Sequence, residues 1–533
     1  MDLFDFQKEG ISFLKDTSST VRFLFDDMGL GKTVQACVAA EELGYPILVV
    51  SPQSPVVVWE DHLTRLTSKE PKVIARPLDF RWPKTGEAVI GTYAQLSWLT
   101  YQAKKGEKRA PNQEAKRVIT DFARGPKQPT ILIFDEAHAL KGFSGRAIQG
   151  RNLSEACLSH GGFVWMLTGT PVPCSPLDLW GLLSVVGYEN YVFQNFQHFL
   201  THFGGREIRW ESSTQEVTNL ARKYGYTYAH VLSCKNYLES PLNALQIAYE
   251  TKLDVTFVSA WRTLQQHLKN RTRQQGGKRY VWSEHPPGGS VLPLFRGTVL
   301  RRLRSQVLTE LPPIIHRVLP IPVADLPKFT RDKANEAVRL LEQRTGHTIE
   351  KVTSSGLAAY LKDVVAQEQL FSALKLLAET KIPFLMDLVG EHEDAYNATT
   401  KDLAPLAVCS EYRKPIECLA RRPKWEAILG GDGLAARRSA MEALASGKSY
   451  GIGFTGAGEE GLTLTTCHRL VKVSSSLSPS REEQREARVH RHGQTRGVII
   501  DHLVVNHPLD TLALRIGATK STIAKEALDS PIV

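Results

Sequence analysis

The sequence has no cysteine pairing pattern. Its seven cysteines, at 37, 157, 174, 234, 409, 418 and 467, are odd in number, and no two stand in C-x-x-C spacing. That argues against a disulfide framework or a zinc ribbon and leads us to expect a reducing compartment. The 16 histidines show no H-E-x-x-H or other metal spacing. Long hydrophobic runs are also missing. No stretch approaches the roughly 18 apolar residues a membrane span needs, and the opening MDLFDFQKEG lacks the basic-then-apolar pattern of a secretory signal. No internal repeat or low-complexity segment is visible. Acidic charge is in the minority, with 56 Asp and Glu against 66 Lys and Arg, a formal charge of +10. That balance permits a polyanionic partner. With 42% hydrophobic and 23% charged residues the chain is ordinary globular material. Its 533 residues suffice for about three domains, or two large ones with an insertion. The expectation is a basic, multidomain protein inside the cell, in bacterial or viral-host cytoplasm or a eukaryotic nucleus, neither secreted nor membrane-bound.

Short apolar runs recur, each followed by a polar or Gly-rich turn and then a helical pattern: Val21–Phe25, Pro46–Val50, Ala88–Ile90, Thr130–Phe134 and Gly162–Leu167. They are too short for buried helices and read as strands of a parallel sheet. Alternation of strands and helices predicts a doubly wound α/β lobe over 1–204. Residues 205–317 are helical, polar and aromatic, then rich in Gly, Pro and charge, and read as an insertion with a connector. A second α/β pattern over 318–533 has strands near Leu406–Val408, Tyr450–Phe454, Arg469–Val473 and Val498–Val505 and ends in a helix, Leu509–Leu528.

Four motifs carry chemistry. In FLFDDMGLGKT, residues 23–33, an apolar strand runs into a Gly-containing turn and Gly-Lys-Thr opens a helix. Backbone N–H groups at such a turn point at phosphate oxygens. Gly29 and Gly31 allow close approach, Lys32 reaches the β- and γ-phosphates, and Thr33 holds Mg²⁺. The strict pattern has Gly where Asp26 stands. In ILIFDEAH, residues 131–138, an apolar strand ends in two carboxylates at the edge where open α/β sheets bind ligands. Asp135 suits a Mg²⁺ ligand and Glu136 an orienter or base for water. About 100 residues separate the two motifs, a pairing that points to a nucleoside triphosphatase. LTGTP, residues 167–171, places Thr168 and Thr170 where they can hydrogen-bond the acidic motif. In QREARVHRHGQ, residues 484–494, Arg488 and Arg491 share a helix face and suit stabilisation of a transferring phosphoryl group. His138, His490 and His492 read as linking residues, and Cys467 and the other cysteines as small buried side chains.

Taken in order, these residues resemble the superfamily II helicase-like ATPases of the Swi/Snf type, in particular the small, distant annealing or fork-remodelling members. The resemblance runs along nearly the whole chain. LFDFQKEG is similar to the Q motif, DDMGLGKT to motif I with the family's Asp at 26, and VVSPQSPVVVWEDHL to motif Ia. GTYAQL is similar to motif Ib, DEAH to motif II, LTGTP to motif III and VLRRLRSQVLTELPP to the Arg-rich connector. AVCSEYRKPIECL, TGAGEEGLTLTTCHRL and QREARVHRHGQ are similar to motifs IV, V and VI. The resemblance implies two RecA-like lobes closing on ATP and Mg²⁺, with Gln7 reading adenine, Gly461 of motif V at the nucleotide, and Arg488 and Arg491 as arginine fingers. It implies phosphate contacts from Ser51 and Thr92, which position DNA without reading sequence. The chain departs from the family pattern at Thr463, where motif V has Asn, at Ala487, where motif VI has Asp, and in the lead-in Leu477, Ser478, Pro479. These departures bear on how hydrolysis couples to movement.

Between 262 and 304 ten basic residues face one acidic residue, Glu284, so nearly all the excess charge sits there. Arg271, Arg273, Lys278 and Arg279, with Tyr280 and Trp282 for stacking, read as a nucleic-acid grip. Arg301, Arg302 and Arg304 could instead pair with acidic residues of the second lobe. The expected activity is ATP-driven translocation on duplex or forked DNA without sequence preference. A strand-separating DNA or RNA helicase, an ATP-driven displacer of DNA-bound proteins and a non-hydrolysing scaffold remain as alternatives. The intact Lys32, Asp135, Glu136 and two arginines argue against the scaffold.

Overall fold

The structure is a computed structural model. It describes all residues except 1–2, 54, 103–109, 112–113, 143, 173–174, 208–219, 235–237, 239–242, 263, 265–279, 284, 346–347, 353–363, 399–403, 433, 457–461, 478, 513 and 516–533. Two parallel-sheet α/β lobes form its framework. In the first, helix α1 (Asp5–Lys15) precedes strand β1 (Val21–Leu24), and helix α2 (Lys32–Leu43) leads to β2 (Ile47–Ser51). Helix α3 (Val56–Leu66), β3 (Glu70–Val73), β4 (Glu87–Thr92), helix α4 (Tyr93–Thr100), β5 (Ile131–Asp135) and β6 (Phe163–Leu167) follow, and β7 (Val299–Leu300) is added much later in the chain. The strand order is β7-β1-β6-β5-β2-β4-β3, every pairing parallel. β1, β2, β5 and β6 are buried along their whole length. Covered on both faces, such strands read as unbroken apolar runs rather than alternating ones. That is why the sequence exposes them, while the exposed, polar β3 (Glu-Pro-Lys-Val) carries no such signal.

The second sheet contains β8 (Ile314–Ile321), β9 (Leu406–Ser410), β10 (Trp425–Ile428), β11 (Gly451–Thr455), β12 (Arg469–Lys472) and β13 (Val498–Val505), in the order β8-β13-β12-β9-β11-β10. All its pairings are parallel as well. Helix α5 (Pro479–Val489) lies between β12 and β13. The connector differs from its expected place. β7 is hydrogen-bonded into the first sheet, and the second sheet begins at Ile314, ahead of the expected start at 318.

Residues Gly204–Ser283 form a separate compact unit. It has its own core of Val231, Ile247, Phe257, Val258 and Trp261 and a short antiparallel pair, Arg206–Glu207 with Tyr280–Val281. Tyr280 and Trp282 stand with ring centroids 5.7 Å apart. Arg271, Arg273, Lys278, Arg279 and Cys174 lie outside the described residues, as does the end of the expected C-terminal helix beyond 515. The described cysteines are free, and Cys37, Cys157, Cys409 and Cys467 are buried. Among the described residues no helix is long and apolar enough to cross a membrane.

Candidate functional site

The sequence motifs sit at the carboxyl ends of strands, the edge at which parallel α/β sheets bind ligands. β1 runs into the loop 25–31, where Gly29 (φ 85°) and Gly31 (φ 75°) adopt left-handed backbone. A side chain at 31 would be doubly penalised, because a Cβ there would lie 2.6 Å from Gln7 Nε2. Lys32 then opens α2, and its ammonium donates to the carbonyls of Asp26 (2.8 Å) and Asp27 (3.2 Å). Gln7 is buried on α1 beside this loop. It accepts from Phe4 N–H (3.2 Å), and its amide reaches the Leu30 carbonyl (3.5 Å).

Asp26 is fully buried, and its carboxylate takes the guanidinium of Arg302, with Nε to Oδ1 at 3.0 Å and a second contact through Nη2. The same guanidinium donates to Gln35 of α2 (2.9 Å), the Phe6 carbonyl and Glu9. The non-glycine at position 26 thus has a physical reason: it neutralises a buried arginine behind the loop. Arg302 and Arg304 pair with acidic residues of the first lobe, not the second, since Arg304 N–H donates to Asp27 Oδ2 (3.1 Å).

β5 delivers Asp135 and Glu136. Trp59 Nε1–H donates to Asp135 Oδ2 (2.8 Å), Glu136 N–H donates to Asp135 Oδ1 (3.0 Å), and the Tyr93 hydroxyl donates to the Asp135 carbonyl (2.7 Å). Burial, then the adjacent Glu136 charge, pushes the Asp135 carboxyl above the ordinary carboxylate range. Burial acts the same way on Glu136, but His138 (3.3 Å), Lys32 and Arg488 outweigh it and hold Glu136 below that range. Glu136 has φ 48°, left-handed backbone that a non-glycine residue adopts at a cost of about 1 kcal/mol or more. His138 Nδ1 also meets the hydroxyls of Thr168 (3.1 Å) and Thr170 (3.4 Å), tying the acidic motif to the turn after β6.

The second lobe contributes Arg488 at the end of α5, Arg491 just past it, and the segment before β12; because α5 ends at Val489, the two arginines do not share a helix face as expected. Arg491 Nη1 donates to the Thr463 hydroxyl (2.9 Å), and the Arg488 guanidinium approaches the Leu462 carbonyl (3.5 Å). Burial, then the charges of Arg488 and Arg304, lowers the Arg491 pKa. Gly29, Gly31, Lys32, Thr33, Asp135, Glu136, Arg488 and Arg491 all line one cleft of about 1220 Å³. That is ample for a nucleoside triphosphate, given typical ligand cavities of roughly 300–1000 Å³. Gln7 stands beside the phosphate loop rather than in the lining, and Gly461 lies outside the described residues. The two expected phosphate-contacting hydroxyls are inside the protein. Ser51 is fully buried and donates to the Pro52 carbonyl, and Thr92 is buried with Oγ1 accepting from Gln95 N–H. Neither offers a surface to DNA. Trp59 and Tyr93 are the residues sequence reasoning missed, although they lie within the motif Ia and Ib segments, where an indole and a phenol invited the question.

A family model described as the SNF2-related domain matches residues 6–328, more than half of the chain. The chain belongs to the SNF2-related family. Over 96% of its length this SNF2-related chain is 23% identical to the human "DNA annealing helicase and endonuclease ZRANB3", covering 39% of that protein. It is 22% identical over 96% of its length to the Drosophila melanogaster "SWI/SNF-related matrix-associated actin-dependent regulator of chromatin subfamily A-like protein 1", covering 54% of it. The chain therefore spans about half the length of these curated relatives or less. A solved structure, the "Sulfolobus solfataricus SWI2/SNF2 ATPase core in complex with dsDNA", aligns with all of this chain and 98% of that one at 16% identity and TM-score 0.35.

Proposed function

We propose that this chain is a DNA-stimulated ATPase whose two RecA-like lobes translocate along duplex DNA. The observation that carries the reading is the single cleft lined by Lys32, Thr33, Asp135 and Glu136 from one sheet and Arg488 and Arg491 from beside the other. The donor set fits Mg²⁺, because a Thr33 hydroxyl and an Asp135 carboxylate are hard oxygen ligands. When bound, the ion would neutralise phosphate charge. Lys32 holds the β- and γ-phosphates against the N–H groups of the loop. Glu136, kept ionised, orients the attacking water and takes its proton. Arg488 and Arg491 face the charge that develops on the transferring phosphoryl group, a contribution of about 10³–10⁵ in rate where such arginines have been measured.

DNA as partner is supported by family membership and by the charge concentrated at 262–304. The grip of Arg271, Arg273, Lys278 and Arg279 is sequence-independent in this reading, and the protein works where the cell keeps its DNA. Steady-state ATPase rates with no nucleic acid, single strand, duplex, fork and RNA test the proposal, with Lys32→Ala as control. Stimulation by duplex or fork, lost in Lys32→Ala, is the expected result. Preference for single strand or RNA would replace the reading with strand separation, and absence of turnover with every cofactor would remove it.

A further inference from the structure

The linker between the lobes is laid along the phosphate loop itself. Phe23 N–H donates to the Thr298 carbonyl (2.9 Å), Phe25 N–H to Leu300 (2.8 Å) and Asp27 N–H to Arg302 (2.9 Å). This ladder continues past the end of β1 into the loop that precedes Lys32. Arg301 donates to the Phe25 carbonyl (2.9 Å), and Arg302 pairs with Asp26. Arg304 then turns to the other lobe. Its backbone N–H donates to Asp27 Oδ2 (3.1 Å), while its Nη1 donates to the carbonyl of His490 (2.7 Å). The His490 ring donates from Nε2 to the Pro312 carbonyl (2.8 Å), and Val498 N–H donates to that of Pro313 (2.9 Å). One residue therefore touches both Asp27 of the phosphate loop and the residue immediately before Arg491.

We infer that Arg304 is an interlobe latch, a positioning residue that couples the phosphate loop to Arg491 through the His490 carbonyl. The inference rests on reading the cleft as an ATP site. The Arg304 side chain is 19% exposed, so water competes little for its hydrogen bond. Movement of the loop on phosphate binding is passed along the 23–27/298–302 ladder to Arg304, and from there to the backbone that carries Arg491. A hydrogen bond from a charged donor at such a junction holds a two-state element in one state. Arg304 does not line the cleft, so its removal should leave nucleotide binding in place and misplace Arg491.

Arg304→Ala and Arg304→Lys in the full chain test this by three measurements. Turnover in Arg304→Ala should fall about tenfold, the worth of one charge-assisted hydrogen bond. The Kd for a fluorescent non-hydrolysable ATP analogue should stay within about twofold of the unaltered chain, and Arg304→Lys, which keeps a charged donor, should recover most of the turnover. Without nucleotide, amide exchange across residues 484–496 should quicken about fivefold in Arg304→Ala, as loss of a local tether predicts. Unchanged exchange overturns the latch whatever the ATPase rates. Parallel loss of binding, turnover and Tm also overturns it, leaving Arg304 a merely structural residue. Failure of the unaltered chain to bind or hydrolyse ATP sinks the ATP-site reading, while the exchange data still decide the contact.

Discussion

Asp135 and Glu136 are neighbours with opposite charge tendencies: burial and the Glu136 charge raise Asp135, while His138, Lys32 and Arg488 together hold Glu136 down. Trp59 and Tyr93 fix Asp135, whereas His138, Lys32 and Arg488 keep Glu136 ionised. Glu136→Gln preserves shape and removes the base, so turnover should fall by about 10²–10³, within the usual range for general-base catalysis. Nucleotide affinity should be retained, and a single-turnover assay beside equilibrium binding checks both. Thr463 has a comparable claim. Where the family pattern has Asn, this chain presents a hydroxyl to Arg491. Thr463→Val should slow turnover about tenfold through loss of that bond, while Thr463→Ser should remain near the unaltered rate. Equal rates for the two variants would remove Thr463 from the account. The residues that act on phosphate were legible because their chemistry needs a fixed local spacing. Trp59 and Tyr93 were not, because their contacts are made across the fold and no spacing encodes them; Thr463 stood out as a departure from motif V, but its bond to Arg491 did not.

At the scale of elements, the second lobe is held by buried charge. Asp501 of β13 has a side chain with no exposed surface, and it accepts from Arg317 of β8 (2.7 and 2.9 Å) and Arg469 of β12 (2.6 Å). Arg485 of α5, also fully buried, joins Glu411 (2.5 Å) to Glu482 (3.0 Å), and Glu482 takes Lys472 (2.7 Å). Burial raises both acids, Asp501 and Glu482, but the surrounding cations more than reverse it, so both carboxyls sit below their ordinary range. A carboxylate depressed in the folded state adds stability above its unfolded value of about 4, and this is lost as pH falls through the folded value. Urea midpoints should therefore drop steeply below about pH 4. Asp501→Asn should cost about 2 kcal/mol near neutrality and less in acid, because the protonated native side chain has already lost its advantage. A pH-independent difference would contradict this. Buried strands such as β1, β5 and β13 were visible as apolar runs. β7 and β8 were not, since β7 spans only Val299–Leu300 and β8 is largely exposed on the sheet edge.

For the whole molecule, the net charge of +10 lies almost entirely in 262–304. Arg302 and Arg304 pair with Asp26 and Asp27 of the phosphate loop, and the proposed DNA grip remains Arg271, Arg273, Lys278 and Arg279. Neutralising those four should weaken duplex binding and reduce the slope of log K against log salt by about 3–4. An unchanged slope would place the DNA elsewhere. Directed movement on intact duplex, driven by the cleft, is measured by displacement of a third strand from a DNA triplex. Release is expected with ATP, with none for a non-hydrolysable analogue and none with Lys32→Ala. Failure to release the third strand while forked DNA is unwound would contradict it and make this chain a strand-separating helicase.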